Sequence, residues 1–366
     1  MKTSNCAVSG KPGVGRRSSI QPTVAFAALA FAAVASAPRT AIADEGGVSF
    51  WLPGLFGSLA AAPLQPGWAM TAMEYYDNVH AGGDVSLARE VTIGRFNPTL
   101  RVDASASLHA HIDLGLLLPT YTFEQRFFGA QTTVGVLFPV GKVDTTLQGM
   151  ISGTLGPFGF SKFGSRTDEV TAAGDLIPIV QMRWNEGVNN FMAYMTGDLP
   201  VGEYDRTSLA NIGIGHYALD GGLGYTYLNP QTGHEFSAVA GLTHNYINPY
   251  TNYQNGLDFH LDWGASQFLS KQLLVGAVGY VYNQLTGDSG SGDRVGPFES
   301  RVIGVGPQVG YIFPLGASQG YVNLKAYGEF DAHDRPHGYN AWLTFSITPP
   351  TPTTPASVSP RMMMTK

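Results

Sequence analysis

The chain has 366 residues and a net charge of −6, and only 13% of its residues are charged, about half the ~25% of an ordinary soluble domain. Its aromatic content of 11% argues against a disordered chain, and its 46 glycines argue against a helical one, because glycine costs about 1 kcal/mol in a helix interior. The length allows two or three soluble domains or one large β-barrel, and the composition favours the barrel.

Residues 1–43 are predicted to be a secretory signal peptide. An apolar run covers 24–35, and an Ala-x-Ala cleavage site follows at 41–43. The run is too short for a transmembrane anchor, which needs about 20 apolar residues. A twin-arginine signal at 16–17 fits poorly, so Sec export is expected. Four basic residues precede the run: Lys2, Lys11, Arg16 and Arg17.

Cleavage after Ala43 would change the charge of the chain. It removes five basic residues and no acidic ones, which leaves 16 basic against 27 acidic residues and a net charge of −11. It also removes Cys6, the only cysteine, so no disulfide and no thiol nucleophile is expected. Net acidity argues against nucleic-acid binding, which needs a basic surface to displace counterions from phosphates.

The two ends of the mature chain lack a regular pattern. Residues 44–67 combine glycines and prolines without a sustained period, and they are predicted to form an N-terminal extension or a plug in a barrel lumen. Residues 348–366 are rich in proline and threonine and are predicted to be a disordered tail.

Between 68 and 347 apolar and polar residues alternate. The alternation is clear in 102–114, 143–154, 257–266 and 322–330. Alternate side chains point to opposite faces of a strand, so each segment has one apolar and one polar face. Several runs reach ten residues, which is longer than an average strand of about 5–6 and matches the ~9–11 residues of a transmembrane strand. After residue 43 no apolar run approaches the ~18 residues of a membrane helix.

The pattern predicts an all-β, transmembrane, up-and-down antiparallel barrel over 68–347. Barrels of this class have an even number of strands, short turns at one end and longer loops at the other. We therefore expect twelve strands, with fourteen as the alternative, and aromatic side chains at the strand ends. The alternation gives thirteen candidate strands, an odd number, so one of them is wrong or one strand is missing. The candidates are 68–79, 102–118, 127–139, 143–155, 175–185, 189–199, 215–228, 234–247, 256–269, 272–285, 301–313, 320–331 and 338–347.

A His-x-His-x-Asp sequence at 109–113 resembles part of the zinc signature of metallo-β-lactamase-like hydrolases. Leu114 occupies the place of a further histidine, and the same polar face continues to Asp103, so a polar lumen stripe is the preferred interpretation. A weak cation site shared by two strands is a second possibility, and its ligands would be His111, Asp113, His260 and Asp262. No metal, cofactor or catalytic residue is predicted, since Ser, His and Asp are scattered without an informative spacing and the glycines at 304–310 do not precede a helix.

Six short motifs, in their order and spacing, resemble the family called the meta-pathway of phenol degradation. They lie at 45–54, 174–176, 199–204, 253–256, 284–288 and 304–307. The resemblance implies an outer-membrane β-barrel of a Gram-negative bacterium that takes up hydrophobic aromatic compounds. It also implies that the barrel-assembly machinery reads a signal on the last strand, here around Trp342–Ile347, because the chain does not end in an aromatic residue.

The expected function is passive passage of small aromatic or hydrophobic solutes through the outer-membrane lipid. Loops 156–174 and 287–298 are predicted to control access. The alternatives are a structural or adhesive barrel, which would show no single-channel conductance, and an outer-membrane hydrolase, which would cleave esters. Nine polar residues are predicted to line the lumen: Asp103, His109, His111, Asp113, Asp258, His260, Asp262, Lys325 and Glu329.

Overall fold

The computed structural model describes residues 49–82, 101–155, 158–293 and 297–349, without the side chains of 101–106 and 150–162. The predicted signal peptide and residues 350–366 of the predicted tail lie outside the described residues. Within the described ranges, no helix has the length and apolar character needed to cross a membrane.

Thirteen antiparallel strands form one sheet in the described residues. They are β1 (Gly67–Gly82), β2 (Arg101–Phe127), β3 (Ala130–Leu155), β4 (Phe158–Ala173), β5 (Ile177–Glu186), β6 (Asn189–Asp198), β7 (Ala218–Leu228), β8 (His234–Asn245), β9 (Leu257–Phe268), β10 (Leu273–Gln284), β11 (Arg301–Leu315), β12 (Ser318–His333) and β13 (His337–Thr348). Their order is β2-β1-β13-β12-β11-β10-β9-β8-β7-β6-β5-β3-β4, and β2 also pairs with β3. That last pairing closes twelve strands into a barrel, with β4 as an extra strand on β3.

The prediction of a twelve-stranded up-and-down barrel is confirmed, although two of its details are wrong. The predicted strands 127–139 and 143–155 are one long strand, β3, and most of the predicted loop 156–174 is β4. Gly141, which lies between the two predicted strands, pairs with Leu114 on one side and Ala172 on the other. A Cβ at Gly141 would lie 2.0 Å from the carbonyl oxygen of Asp113, so the glycine permits close approach of two strands.

Strand β3 changes its partner at a proline. It pairs with β5 from Gln131 to Leu137 and with β4 from Val140 onward. Pro139, between these two stretches, has no N–H to donate to a neighbouring strand. Its carbonyl oxygen accepts a hydrogen bond from the N–H of Gly174 at 2.9 Å. The chain therefore leaves the twelve-stranded ring after Pro139 to form the outer part of β3 and then β4. It rejoins the ring at β5, close to Pro139.

The barrel has two different ends. At the end called here the base, β1 begins, β13 ends, and two-residue turns join β2 to β3, β5 to β6 and β11 to β12. At the opposite end, the rim, the longer connections 199–217, 246–256 and 285–300 join the strands. This asymmetry is typical of outer-membrane barrels.

Much of the outer face of the barrel is an apolar band between two rings of aromatic side chains, although β1 and β2 also place polar residues such as Glu74 on this face. Aromatic side chains on this face lie near the base at Trp68 and Tyr311 and near the rim at Tyr217, Tyr246 and Tyr339. Inward side chains are mostly buried, as the alternating burial along β8 and β9 shows. Exposed apolar residues between the rings include Leu219, Leu223, Leu242, Val305, Val309, Leu324 and Leu343.

Candidate functional site

Residues 49–66, called here the inner segment, run through the barrel from rim to base. Near the rim, the Arg335 guanidinium donates to the Ser49 hydroxyl at 3.3 Å. Near the base, the side-chain amide of Gln131 bonds both the N–H and the carbonyl oxygen of Leu64, at 2.9 and 2.7 Å. Between these points the segment contacts inward side chains of β5, β7, β8, β9, β11 and β12. The lumen is thus occupied by the chain's own amino-terminal part.

A tight turn in the inner segment is formed by Leu52–Leu55. The N–H of Leu55 donates to the carbonyl oxygen of Leu52 at 3.1 Å, and Gly54 has a φ of 83°. Pro53 followed by a glycine with positive φ is the combination that a type II turn requires. The Tyr327 ring lies 2.9 Å from the position of a Cβ on Gly54, so a side chain there would collide with it.

Two buried side chains of opposite charge hold this turn, and we call them the clasp. The Asp262 carboxylate on β9 accepts the N–H groups of Gly54 and Phe56, both at 3.0 Å. The Lys325 ammonium on β12 donates to the carbonyl oxygens of Gly54, Leu55 and Phe56 at 2.6, 3.3 and 3.2 Å. Asp262 and Lys325 are only 1% and 4% exposed. Each charge is therefore compensated by backbone groups that would otherwise be unpaired away from water.

Below the clasp, side chains of four further strands bind the inner segment. The segment's backbone N–H groups donate to a carboxylate on β8 and a hydroxyl on β7, and one of its carbonyl oxygens accepts from a guanidinium on β5. A serine of the segment joins hydroxyl and amide groups on β9 and β11. These bonds are Leu59 to Glu235 (2.8 Å), Ala61 to Thr226 (2.9 Å), Arg183 to Ala60 (3.2 Å), and Ser58 with Ser266 (2.8 Å) and Gln308 (2.6 Å).

His260 supports the segment through its ring. The Trp51 ring stacks on it with 3.6 Å between centroids and 14° between planes. Its Nε2 atom lies 2.8 Å from the Asp220 carboxylate and 3.3 Å from the Tyr194 hydroxyl. The hydroxyl of Thr243 donates to the same carboxylate oxygen at 2.6 Å. The imidazole is therefore held by a buried polar network that fixes Trp51 in place.

The opposite side of the lumen carries a group of apolar side chains beside buried polar ones such as Asp77 and Asn340. Leu52 and Leu55 of the inner segment pack against a buried cluster that includes Val278, Tyr280, Tyr282, Val302 and Tyr327. Part of this cluster lies on β1, β2, β3 and β13, and we call that part the apolar wall. The inner segment thus has hydrogen bonds on one side and an apolar surface on the other. The residues of the apolar wall are Met73, Tyr75, Leu114, Leu116, Leu137 and Trp342.

Five of the nine residues predicted to line the lumen lie on the inner face of β9 and β12. Asp262, Lys325 and His260 contact the inner segment as described. Asp258 accepts from the Asn245 amide at 2.7 Å. Glu329 accepts from the Tyr280 hydroxyl at 2.6 Å and from the N–H of Gly338 at 2.7 Å. All five therefore bond to the protein itself, which sequence reasoning did not anticipate.

The other predicted residues lie on β2, and there the structure differs from the prediction. The alternate residues Leu114 and Leu116 belong to the apolar wall, so His109, His111 and Asp113 lie on the outer face. The prediction assumed that the polar face of every strand points inward, whereas β2 turns its apolar face inward. The side chain of Asp103 lies outside the described residues.

The possible cation site shared by β2 and β9 is not formed. His111 Nε2 lies 2.9 Å from the Asp113 carboxylate on the outer face, whereas His260 and Asp262 face inward. Within the described ranges, no three His, Asp, Glu or Cys side chains converge as metal ligands.

Sequence reasoning missed most of the residues that hold the inner segment, including Thr226, Glu235 and Gln308. The sequence did contain a signal for Glu235. Glu235 and Ser237 alternate with Phe236 and an alanine, a pattern that indicates a polar face of β8. The inner segment, which these residues bind, could not be recognised as their partner, because its apolar and polar residues follow no regular period.

The rim loops are joined by carboxylates from the quoted motifs. Asp175 accepts the N–H groups of Gly202 and Ile214, both at 2.7 Å, and so joins the motifs at 174–176 and 199–204. Asp288 accepts the Tyr253 hydroxyl and the N–H of Gly256, and so joins those at 253–256 and 284–288. The start of the loop 287–298, predicted to control access, is therefore bound to its neighbour.

The fold is shared with a known outer-membrane channel. The COG4313 outer membrane channel from Pseudomonas putida F1 has 12% identity and a TM-score of 0.55, over 78% of this chain and 97% of that chain. A FadL homologue from Pseudomonas aeruginosa has 11% identity and a TM-score of 0.33, over 85% of this chain and 98% of that chain. No match was found among curated proteins. At these identities the first likeness shows the barrel fold.

The family itself is shown by a match over most of the sequence. Residues 92–345 fit the model of the family described as "Putative MetA-pathway of phenol degradation". This range extends from before β2 into β13 and covers well over half of the chain. The chain belongs to the MetA-pathway of phenol degradation family, as its short motifs predicted.

Proposed function

We propose that the protein is an outer-membrane channel for the passive uptake of small hydrophobic or aromatic compounds, in a Gram-negative bacterium and after signal-peptide-directed export. A closed barrel pairs every wall strand, so its backbone can be placed in lipid without unpaired groups. The apolar outer band between two aromatic rings supports the same location.

The observation that carries the proposed substrate class is the apolar wall. Porin-type lumens are polar, whereas here Leu114, Leu116 and Trp342 face inward. The inner segment is hydrogen-bonded mainly to strands β5–β12, and its Leu52 and Leu55 pack against the buried cluster that contains the apolar wall. We infer that solutes pass between the segment and this wall, where an aromatic ring meets apolar surface and a polar solute loses its hydration.

Flux into proteoliposomes tests the proposal with a charge placed in this path. We expect 4-hydroxybenzoate, which crosses bare lipid slowly, to enter faster than non-aromatic gluconate. A Leu55→Asp variant should lose roughly 10-fold of the 4-hydroxybenzoate flux, equivalent to about 1.4 kcal/mol on the barrier. The matched control is Leu55→Met, which keeps the apolar surface and should retain the flux.

Three outcomes would contradict the proposal. Equal flux in empty and protein-loaded vesicles would mean that the protein is not a channel for this solute. Absence of single-channel conductance would favour a structural or adhesive barrel, and ester cleavage by the purified protein would favour the hydrolase. Folding of each variant is checked by its heat-dependent shift on an SDS gel.

A further inference from the structure

Three histidines lie side by side across three strands at the rim. The strand register places His80 of β1 opposite His337 of β13 and opposite His109 of β2. The ring centroids of His80 and His337 are 4.9 Å apart, and those of His80 and His109 are 6.2 Å apart. His80 and His109 are exposed on the outer face, and His337 is half-buried. The inner segment and the apolar wall are on the other face, so this row plays no part in the proposed function.

The spacing suits two imidazoles that share one ion. Directly opposite residues on antiparallel strands have Cβ atoms about 4.5–5.5 Å apart. Two histidine nitrogens bound tetrahedrally to zinc at about 2.0–2.1 Å are roughly 3.4 Å from each other. Exposed imidazoles can reach that separation by rotation about their side-chain bonds without any movement of the backbone.

We propose that His80, together with His337 or His109, forms an open surface site for a divalent transition-metal ion. Imidazole is a preferred ligand of Zn²⁺, Cu²⁺ and Ni²⁺, whereas Ca²⁺ and Mg²⁺ prefer oxygen. Since no three His, Cys, Asp or Glu side chains in the described part of the chain converge on one point, only two histidines of the row bind the ion at a time, and water or an external ligand completes the coordination. His111, two residues from His109 on the same face, is bound to Asp113.

Zinc titration of the untagged full barrel in detergent tests this site. Chelation by two linked groups raises affinity by about 10²–10⁴-fold over one, so we expect His80→Gln, which breaks both pairs, to weaken Zn²⁺ binding by at least ~10-fold. His337→Gln should have a larger effect than His109→Gln because its ring is nearer. The matched control is His234→Gln, an exposed histidine on β8 that faces Gln267 and not another histidine.

Two results would overturn the proposal, and both are independent of solute flux. One is Zn²⁺ affinity that is the same in the parent, in His80→Gln and in the His80→Gln/His337→Gln double variant. The other is a bound Cu²⁺ whose electron paramagnetic resonance spectrum shows a single protein nitrogen. Because these residues lie on the outer face, away from the core, the gel-shift assay should show all variants folded. A metal site would then stand even if transport of aromatic solutes failed.

Discussion

At the residue scale, the clasp joins two strands to one turn of the inner segment, with Asp262 accepting backbone N–H groups and Lys325 donating to carbonyl oxygens. The alternation of Asp258, His260 and Asp262 with apolar residues indicated that these polar side chains share one face of a strand. It did not indicate what they bind, because Gly54 and Phe56 are about two hundred positions away and belong to a segment without a period. Only the closed barrel brings Asp262 and Lys325 to the same turn.

An Asp262→Asn substitution should loosen this turn. Asparagine retains one acceptor oxygen but presents an NH₂ group to the second backbone N–H, and it leaves the Lys325 charge without its opposite. Loss of a hydrogen bond to a charged group costs about 1.5–3 kcal/mol, so we expect the free energy of unfolding in urea to fall by that amount. The control is Asp331→Asn, an exposed acid on β12 that bonds Arg301. Equal unfolding midpoints for the two variants would count against the clasp.

At the element scale, β2 and β3 explain both the success and the failure of the strand prediction. Period-two alternation located the strands, but it does not say which face points inward, and a shift of one residue exchanges the faces. The usual polar-inside rule gave the wrong orientation for β2 because part of this lumen is apolar. Strand β3 was divided in two because Pro139 and Gly141 together are typical of a turn.

A Gly141→Ala substitution tests the close approach of β2 and β3. The added Cβ would meet the Asp113 carbonyl oxygen and the Leu114 backbone, which cannot move without breaking the strand pairing. Forcing extra atoms into a packed site costs about 1–3 kcal/mol, and we expect a matching loss of unfolding free energy. Gly164 on β4 is the control, since a Cβ there meets no atom of the described residues within 4 Å. A stable Gly141→Ala variant would mean that this stretch is a flexible turn.

At the scale of the whole molecule, the twelve-stranded barrel was predictable from the sequence, whereas the path of the inner segment through its lumen was not. The bilayer and the closure of the sheet constrain every strand in the same way. They therefore leave repeated features in the sequence, namely the low charge, the strand length and the even number of strands. The path of the inner segment depends on a few individual bonds, such as those of Gln131 and Arg335 at its two ends. Such bonds leave no repeated pattern in a sequence.

Deletion of residues 49–64 should open the lumen. We expect single-channel conductance to rise several-fold, since ~12 strands enclose either a filled or an open interior. Thermal stability should fall, because the deletion leaves Asp262, Lys325 and Glu235 without their backbone partners. Deletion of residues 351–366, which removes the same number of residues from the tail, should change neither quantity. Unchanged conductance after the first deletion would show that the segment does not limit passage.

The position of the inner segment also dictates an order of assembly. It is continuous with β1, the first strand, and the ring closes only when β1 pairs with β13, the last strand, from Met70 opposite Ile347 to His80 opposite His337. If the ring closed first, the inner segment would have to be drawn through the whole lumen from base to rim. The direct route is for β2–β13 to wrap around a segment already in place. The inner segment, which precedes all thirteen strands in the chain, then acquires its bonds to β9 and β12 only as the sheet curls. These contacts of very long sequence separation make closure a slow, late step.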